Sequence, residues 1–270
     1  MRLTRCDVCR HGFFAHQPTE EVLREVFAES EAHSSTYVDI EQVEARLSGI
    51  IAPKVQWLLD LYASRYQSVP RCAVDVGAGG GHFVEGMRRL GVHTDGYEIS
   101  RKSRAFAREA FGLNLISDDF LAANREAVDV VTFWGLLEYT PQPKAFLEAA
   151  RRQMSPENGL LVVEVPRVDC FGTAVQSENS RSIARHLDPT SHVNTFSDAA
   201  IATVLVESGF QPIAAWYFGM DVYEFIIQAA LRLEDEAVID KLSGMLPKLQ
   251  QSLDLGRQSD DLVVAAIPII

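Results

Sequence analysis

The chain has 270 residues, 47% hydrophobic and 23% charged, so it carries enough apolar side chain to bury a full core in one or two domains. A formal charge of −12 argues against nucleic acid as a partner, because neutralising phosphates and releasing counterions supplies much of that affinity. No apolar run reaches the length of a membrane span, the amino terminus lacks the apolar stretch of a signal peptide, and four cysteines make no disulfide framework, so a cytoplasmic chain without a membrane partner is expected.

In chain order, residues 1–70 read as an N-terminal extension: a short Cys6-x-x-Cys9 segment, then helices. Thr19 caps a first helix to Glu29, with Val22, Val26 and Phe27 on one face. A second helix runs from Ile40 to Tyr66, where Pro53 should kink or split it. From residue 71 the pattern alternates. Strands are expected at Ala73–Val76, His93–Ile99, Leu115–Ile116, Val128–Trp134 and Leu160–Val165. Between them lie helices at His82–Leu90, Ser100–Gly112 and Pro143–Met154, two of them closed by Gly91 and Gly112. This alternation means βαβ units, a mostly parallel sheet and helices on both faces. Residues 166–195 form a long loop-rich stretch of the kind that makes a substrate lid. A capped helix at Ser197–Ser208, a strand near Ile213–Phe218, helices at Val222–Leu233 and Glu234–Leu253, and a strand at Leu262–Ile267 complete the chain. The last two strands are suited to an antiparallel pair at the sheet edge.

Gly77, Ala78, Gly79 and Gly81 lie between a strand ending in Asp75-Val76 and a helix. Without Cβ atoms such a turn is tight, and a ligand can approach its backbone at a helix start. A tight turn with no ligand satisfies the same string. The dinucleotide fingerprint needs a glycine three positions after Gly79, where this chain has His82; its third glycine comes one residue early, at Gly81. Glu98 ends the second strand, where a carboxylate can accept hydrogen bonds from both hydroxyls of a ribose.

The early third glycine resembles the first motif of class I S-adenosylmethionine-dependent methyltransferases. The stretch Val128 to Pro143, with its Asp-Val-Val strand running into Leu-Leu-Glu-Tyr and a Pro-Gln-Pro turn, resembles the group known as methyltransferase type 23. Gly159–Pro166 and the His192-x-Asn194-x-Phe196-Ser197 segment that leads to Ser208-Gly209-Phe210 follow in family order. The resemblance implies a Rossmann-like α/β fold with a seven-stranded sheet over residues 71–270 and a small helical and hairpin extension ahead of it. It implies S-adenosyl-L-methionine as cofactor, held by Asp75, Gly77, Ala78, Gly79, Gly81, Glu98, Ile99, Asp118 or Asp119, Phe120, Trp134 and Gly135. Asp118 or Asp119 would meet the adenine amino group, although either also fits a helix cap. On the acceptor side it implies Glu138, Tyr139 and His192 as catalytic candidates, with His186 a weaker one. The family usually has His where this chain has Tyr139, which removes an obvious general base; an aromatic packing beside the cofactor suits the position equally. Cys6 and Cys9, with neighbouring His11 and His16, resemble the second half of a zinc ribbon whose first half precedes the domain in some relatives. The reading is a remnant without metal, the alternative a site completed by histidine or another protomer.

The function these residues imply is S-adenosylmethionine-dependent methylation of a small-molecule acceptor at oxygen or carbon, a sugar or secondary metabolite among them, by a monomer or homodimer. The alternatives are an NAD-dependent oxidoreductase on the same fold and a non-catalytic S-adenosylmethionine-binding module.

Overall fold

A computed structural model describes residues 3–29, 38–125, 127–177 and 192–269. The strands are β1 (Leu3–Arg5), β2 (Gly12–Phe14), β3 (Cys72–Val76), β4 (His93–Tyr97), β5 (Val130–Trp134), β6 (Leu160–Pro166), β7 (Asn194–Thr195), β8 (Phe210–Phe218) and β9 (Asp261–Pro268). The principal helices are α1 (Glu20–Glu29), α2 (Ala52–Tyr66), α3 (His82–Arg89), α4 (Arg101–Phe111), α5 (Pro143–Gln153), α6 (Phe171–Ser177), α7 (Asp198–Glu207), α8 (Asp221–Leu233), α9 (Ala237–Ser243) and α10 (Leu246–Leu255).

Six strands form the central sheet in the order β4-β3-β5-β6-β9-β8. β3 lies parallel to both β4 and β5, with Asp75 opposite Gly96 on one side and Thr132 on the other. Val130, Val131, Thr132 and Phe133 are all wholly inaccessible. Alternate residues of a strand face opposite sides, so both faces of β5 are covered, which explains its continuous apolar sequence. The N–H of Arg167, just past β6, donates to the carbonyl of Asp260, just before β9, at 2.6 Å. The N–H of Ile269 donates to Gly209 O, ahead of β8, at 2.8 Å. β9 therefore runs against both neighbours, which makes the sheet mixed, with its antiparallel strand inside the edge.

Three expectations are refined. The strand expected at Leu115–Ile116 contracts to one parallel bridge between Tyr97 and Ile116, held by Ile116 N–H on Gly96 O (2.8 Å) and Glu98 N–H on Ile116 O (2.9 Å). Gly112 in the left-handed conformation ends the preceding helix and Asp119 caps the next turn, and among the described residues the sheet has six strands where seven were expected. The helix expected over Ile40–Tyr66 is split into 3₁₀, α and π turns up to Ile51, and α2 then begins with Pro53 in its first turn, where its missing N–H does no harm. Glu234–Leu253 is likewise two helices, α9 and α10, the second again carrying a proline in its first turn.

The chain divides into two compact units. One comprises Met1–Gln17, Glu164–Val204 and Ala214–Val264; the other comprises Pro18–Val163, Leu205–Ile213 and Ala265–Ile270. In the first, β2 pairs antiparallel with β1 and with β7, Gly12 opposite Thr195 and Phe13 opposite Asn194. Arg167 organises this unit from a buried position: Nε donates to Asp198 Oδ1 (2.6 Å) and Nη1 to the carbonyls of Ser259 (2.7 Å) and Arg257 (3.0 Å). The expected loop over 166–195 contains α6, whose Gly172 N–H donates to the buried Asp221 carboxylate at 2.7 Å. Residues 178–191, His186 among them, lie outside the described residues. In the second unit Leu58, Met87, Leu147 and Leu160 are wholly buried around the β3–β5 half of the sheet.

Candidate functional site

β3 leads into β4 on one side, and the chain later returns to the other side of β3 as β5. In an open parallel sheet, the crevice beyond the strand ends at such a reversal is where ligands bind. Asp75 lies at this end of β3, 2% exposed, and accepts the hydroxyl of the wholly buried Thr132 at 2.7 Å. The pair ties β3 to β5 just below the turn.

The turn itself is largely self-satisfied. The N–H groups of Gly77 and Ala78 both donate to Tyr97 O at 2.9 Å, Gly81 N–H donates to Ala78 O at 2.9 Å, and Gly79 N–H donates to Glu98 Oε2 at 2.7 Å. Gly81 has φ +78°, and a Cβ there would lie 3.1 Å from the Ala107 side chain and 3.2 Å from that of Leu113. Gly96 has a matching role on β4: a Cβ would come within 2.9 Å of both Ala78 and Val84, so its absence lets the turn lie against the strand. Sequence reasoning passed over Gly96, although a glycine within a strand is a standard sign of close backbone approach.

Glu98 joins the turn to the end of β4. Its second oxygen accepts Ser100 N–H at 2.7 Å, and Arg104 Nη1 donates to the carbonyls of Glu98 (2.8 Å) and Ile99 (2.7 Å). Burial pushes the Glu98 carboxyl above the ordinary glutamate range, against the pull of the Ser100 and Gly79 N–H groups and of Arg104. A carboxylate offers about four lone-pair sites, so acceptor capacity is left over after these N–H groups. Ile99 is half-buried beside it.

The two aspartates separate. Asp119 caps the 3₁₀ turn Phe120–Ala122 by accepting Leu121 N–H at 2.9 Å and pairs with Arg24 at 3.2 Å, while Asp118 is exposed. Phe120 faces inward, 3% exposed, with Tyr97 and Phe133 rings 5.4 and 6.0 Å away.

Beyond β5, Trp134 packs on Phe83 with ring centroids 5.0 Å apart, and its indole Nε1–H is buried without an acceptor. The ammonium of Lys54 stands 4.7 Å from the Trp134 ring, and Lys54 is buried. Gly135 adopts φ +65°, and the buried Glu138 folds back toward it, its Oε1 3.2 Å from where a Cβ would be. Tyr139 is half-buried and meets Phe27 edge-to-face at 5.4 Å.

His192 is a half-buried residue of the first unit, just before β7. Its companions turn inward: Asn194 Oδ1 lies 3.2 Å from His11 Nε2, and Phe196 is buried with its ring edge-on to His11 at 5.2 Å. His11 is thereby directed to Asn194. Cys6 and Cys9 lie in the tight β1–β2 connection, where Cys6 N–H donates to His11 O at 2.8 Å. Hydrogen bonds from the Cys9 and Val8 N–H groups hold the Cys6 thiol below the ordinary cysteine range. Among the described residues no group of three or more His, Cys, Asp or Glu side chains is gathered to hold a metal ion, and no helix is long and apolar enough to cross a membrane.

The reversal at β3, the glycine turn bonded to the acid of β4 and the double cover of β5 define a Rossmann-like α/β domain. The family model described as a methyltransferase domain matches residues 46–215, and the chain belongs to that family. It is 33% identical over 91 residues to the ubiquinone biosynthesis O-methyltransferase of Thiobacillus denitrificans, covering 31% of this chain and 39% of that protein. The chain thus spans well under half the length of that relative. The solved structure of a SAM-dependent methyltransferase from Archaeoglobus fulgidus superposes with a TM-score of 0.53 at 18% identity, covering 80% of this chain and 93% of that one. The magnesium protoporphyrin IX methyltransferase of Synechocystis PCC 6803 with bound SAH gives 0.58 at 12% identity, with 93% and 100% covered. Both structures share the fold.

Proposed function

We propose that the chain is an S-adenosylmethionine-dependent methyltransferase acting on a small-molecule acceptor. The observation that carries the reading is the Glu98 carboxylate, bonded by Gly79 N–H on one oxygen and Ser100 N–H on the other at 2.7 Å each. Fixed in this way at the crevice, it retains lone pairs for two ribose hydroxyls. The turn amides support one class of nucleotide ligand over another. A pyrophosphate needs free N–H groups at the helix start, and those of Gly77, Ala78, Gly79 and Gly81 are already donated within the protein. His82, at the position of the dinucleotide fingerprint's last glycine, has its ring buried beside Phe106 and Phe111. These features favour a ligand without phosphates over NAD. The orphaned Trp134 Nε1–H supplies a donor that a bound ligand satisfies.

In this reading Asp75, Gly77, Ala78, Gly79 and Gly81 shape the floor of the pocket, Glu98 holds the ribose, Ile99 and the exposed Asp118 meet the adenine, and Trp134 and Gly135 border the sulfur end. Asp119 and Phe120 act as cap and core support. When bound, the cofactor supplies an activated methyl group. The protein's own residues orient the acceptor and exclude water, so proximity carries much of the rate. An acceptor hydroxyl must also lose a proton; in the second unit Glu138 is the group assigned to it, with Tyr139 as wall, and His192 of the first unit is the alternative candidate that the family resemblance supplies. The name of the Thiobacillus relative supports oxygen as the methylated atom.

Calorimetry with S-adenosylmethionine, S-adenosylhomocysteine and NAD tests the reading. The first two are expected to bind and NAD to give no heat. Absence of binding at millimolar S-adenosylhomocysteine overturns the proposal, and tight NAD binding replaces it with the oxidoreductase alternative.

A further inference from the structure

We propose that Arg104 is a positioning residue for the ligand, clamping the Glu98–Ile99 backbone and setting a cation beside the Glu98 carboxylate, an inference that rests on reading the crevice as an S-adenosylmethionine site. The helix itself gives no reason for an arginine there. Ser100 caps α4, its Oγ accepting Ser103 N–H at 3.3 Å, and the first turn that follows holds Arg101, Lys102 and Arg104 with no acid among them. A helix start is the positive end of the dipole and favours acids, so a cation in that turn works against the helix. The half-buried Arg104 side chain turns back past the cap. One guanidinium nitrogen, Nη1, donates to Glu98 O at 2.8 Å and to Ile99 O at 2.7 Å, two carbonyls that lie ahead of the helix.

The clamp and the carboxylate meet at the same place. Glu98 Oε1 accepts Ser100 N–H and Oε2 accepts Gly79 N–H, each at 2.7 Å, which brings the carboxylate to the start of α4. Acting on it are the N–H groups of Ser100, Gly79 and Ile99 and the charge of Arg104. Other charged side chains of the surrounding elements are engaged elsewhere or stand in solvent. Asp95 of β4 pairs with Arg125 at 2.5 Å, Asp119 beyond the Ile116 bridge pairs with Arg24 at 3.2 Å, and Asp75 of β3 takes the Thr132 hydroxyl at 2.7 Å. Arg101, Lys102 and Asp118 are exposed. Arginine keeps its charge at any pH where the fold stands. A nearby opposite charge favours the ionised carboxylate, which is the better acceptor for both ribose hydroxyls, while burial opposes it. Arg104 thus decides how far down in pH the crevice keeps its acceptor.

The test is the pH dependence of S-adenosylhomocysteine binding to the full chain, followed by calorimetry from about pH 5 to about pH 8.5. Arg104→Met removes the charge and both hydrogen bonds and keeps an apolar stem. Its fall in affinity on acidification is expected to begin about 0.5 to 1 pH unit higher than in the wild type. Kd should therefore rise about 3- to 10-fold at the acid end and stay within about threefold at the alkaline end, where Glu98 is ionised in both proteins. Arg104→Lys keeps the charge and should return the fall to within about 0.3 pH unit of the wild type. In a Glu98→Gln background, Arg104→Met should no longer alter the profile. An unchanged profile in Arg104→Met, a displacement that persists in the Glu98→Gln background, or no rescue by lysine overturns the proposal and leaves Arg104 as a brace of the helix start. Should Arg104→Met lose its native circular dichroism, Arg104→Gln keeps an NH₂ donor for the carbonyls and drops the charge; the same displacement is expected, and an unchanged profile overturns the proposal. Failure of the wild type to bind S-adenosylhomocysteine instead removes the reading on which the proposal rests.

Discussion

Glu98→Gln separates the proposed ligand-binding role of this acid from its structural one. In the free protein the carboxylate accepts Gly79 N–H and Ser100 N–H, each at 2.7 Å. A glutamine presents one carbonyl oxygen to this pair and sets its NH₂ against the other N–H. Losing one hydrogen bond at a charged acceptor costs about 1.5 to 3 kcal/mol. The neutral amide also removes the burial penalty that raises the Glu98 pKa, which offsets part of that cost. Net destabilisation should be about 1 kcal/mol, a drop in Tm of roughly 2 to 4 °C for a chain of this class. The ligand fares worse, because both ribose hydroxyls lose a charged acceptor and one meets a donor. A loss of about 2 to 3 kcal/mol in binding corresponds to roughly 30- to 150-fold in Kd. Calorimetry of S-adenosylhomocysteine against both proteins, with melting curves run without ligand, separates the two effects. A Kd within about threefold of the wild type refutes the placement of the ribose on Glu98.

The same acid sets a pH dependence. Ribose hydroxyls donate to the ionised form, so affinity should hold at neutral and alkaline pH and fall as pH drops through the raised Glu98 pKa, a descent that starts above the ordinary glutamate range and is missing in Glu98→Gln. The sign for folding is opposite: with the folded pKa raised, the group's contribution to stability is full below its unfolded pKa and is lost as pH rises through the folded value. Gly81→Ala forces φ +78° on a residue with a Cβ and drives that carbon to 3.1 Å from Ala107; urea denaturation should show a loss of about 1 to 3 kcal/mol. Arg167→Met leaves two carbonyls without their donor and Asp198, still held by the Tyr217 hydroxyl, without its cation, and should cost about 2 to 3 kcal/mol; a loss smaller than about 1 kcal/mol contradicts its organising role. Thr132→Val removes the 2.7 Å hydroxyl donor from the buried Asp75 carboxylate, for which about 2 to 3 kcal/mol is expected in the same assay.

The strands were legible where burial leaves a continuous apolar run. Val130, Val131 and Phe133 of β5 and Leu160–Val163 of β6 are wholly buried, and their sequence is nearly all aliphatic or aromatic. The turn at Gly77–Gly81 was legible because left-handed backbone selects glycine. What escaped depended on partners distant in sequence. β7 is two residues long and is a strand only because Phe13 and Gly12 lie opposite it. Lys54 and Arg167 read as surface charges by type, and nothing local says that tertiary packing buries them. The division of labour between Asp118 and Asp119 was likewise hidden, since adjacent identical residues differ only in which backbone N–H each can reach.

The pairing of β2 with β7 bears on how the chain is made. Gly12 and Phe13 leave the ribosome with β1 as their neighbour, and the strand that covers their other edge follows roughly 180 residues later. At synthesis rates of about 5 to 20 residues per second, that edge waits on the order of 10 to 40 s. A two-stranded hairpin is at best marginally stable alone in water. A segment made long before its partner is thus among the last to be completed, and until then its unpaired edge is open to pairing with other chains.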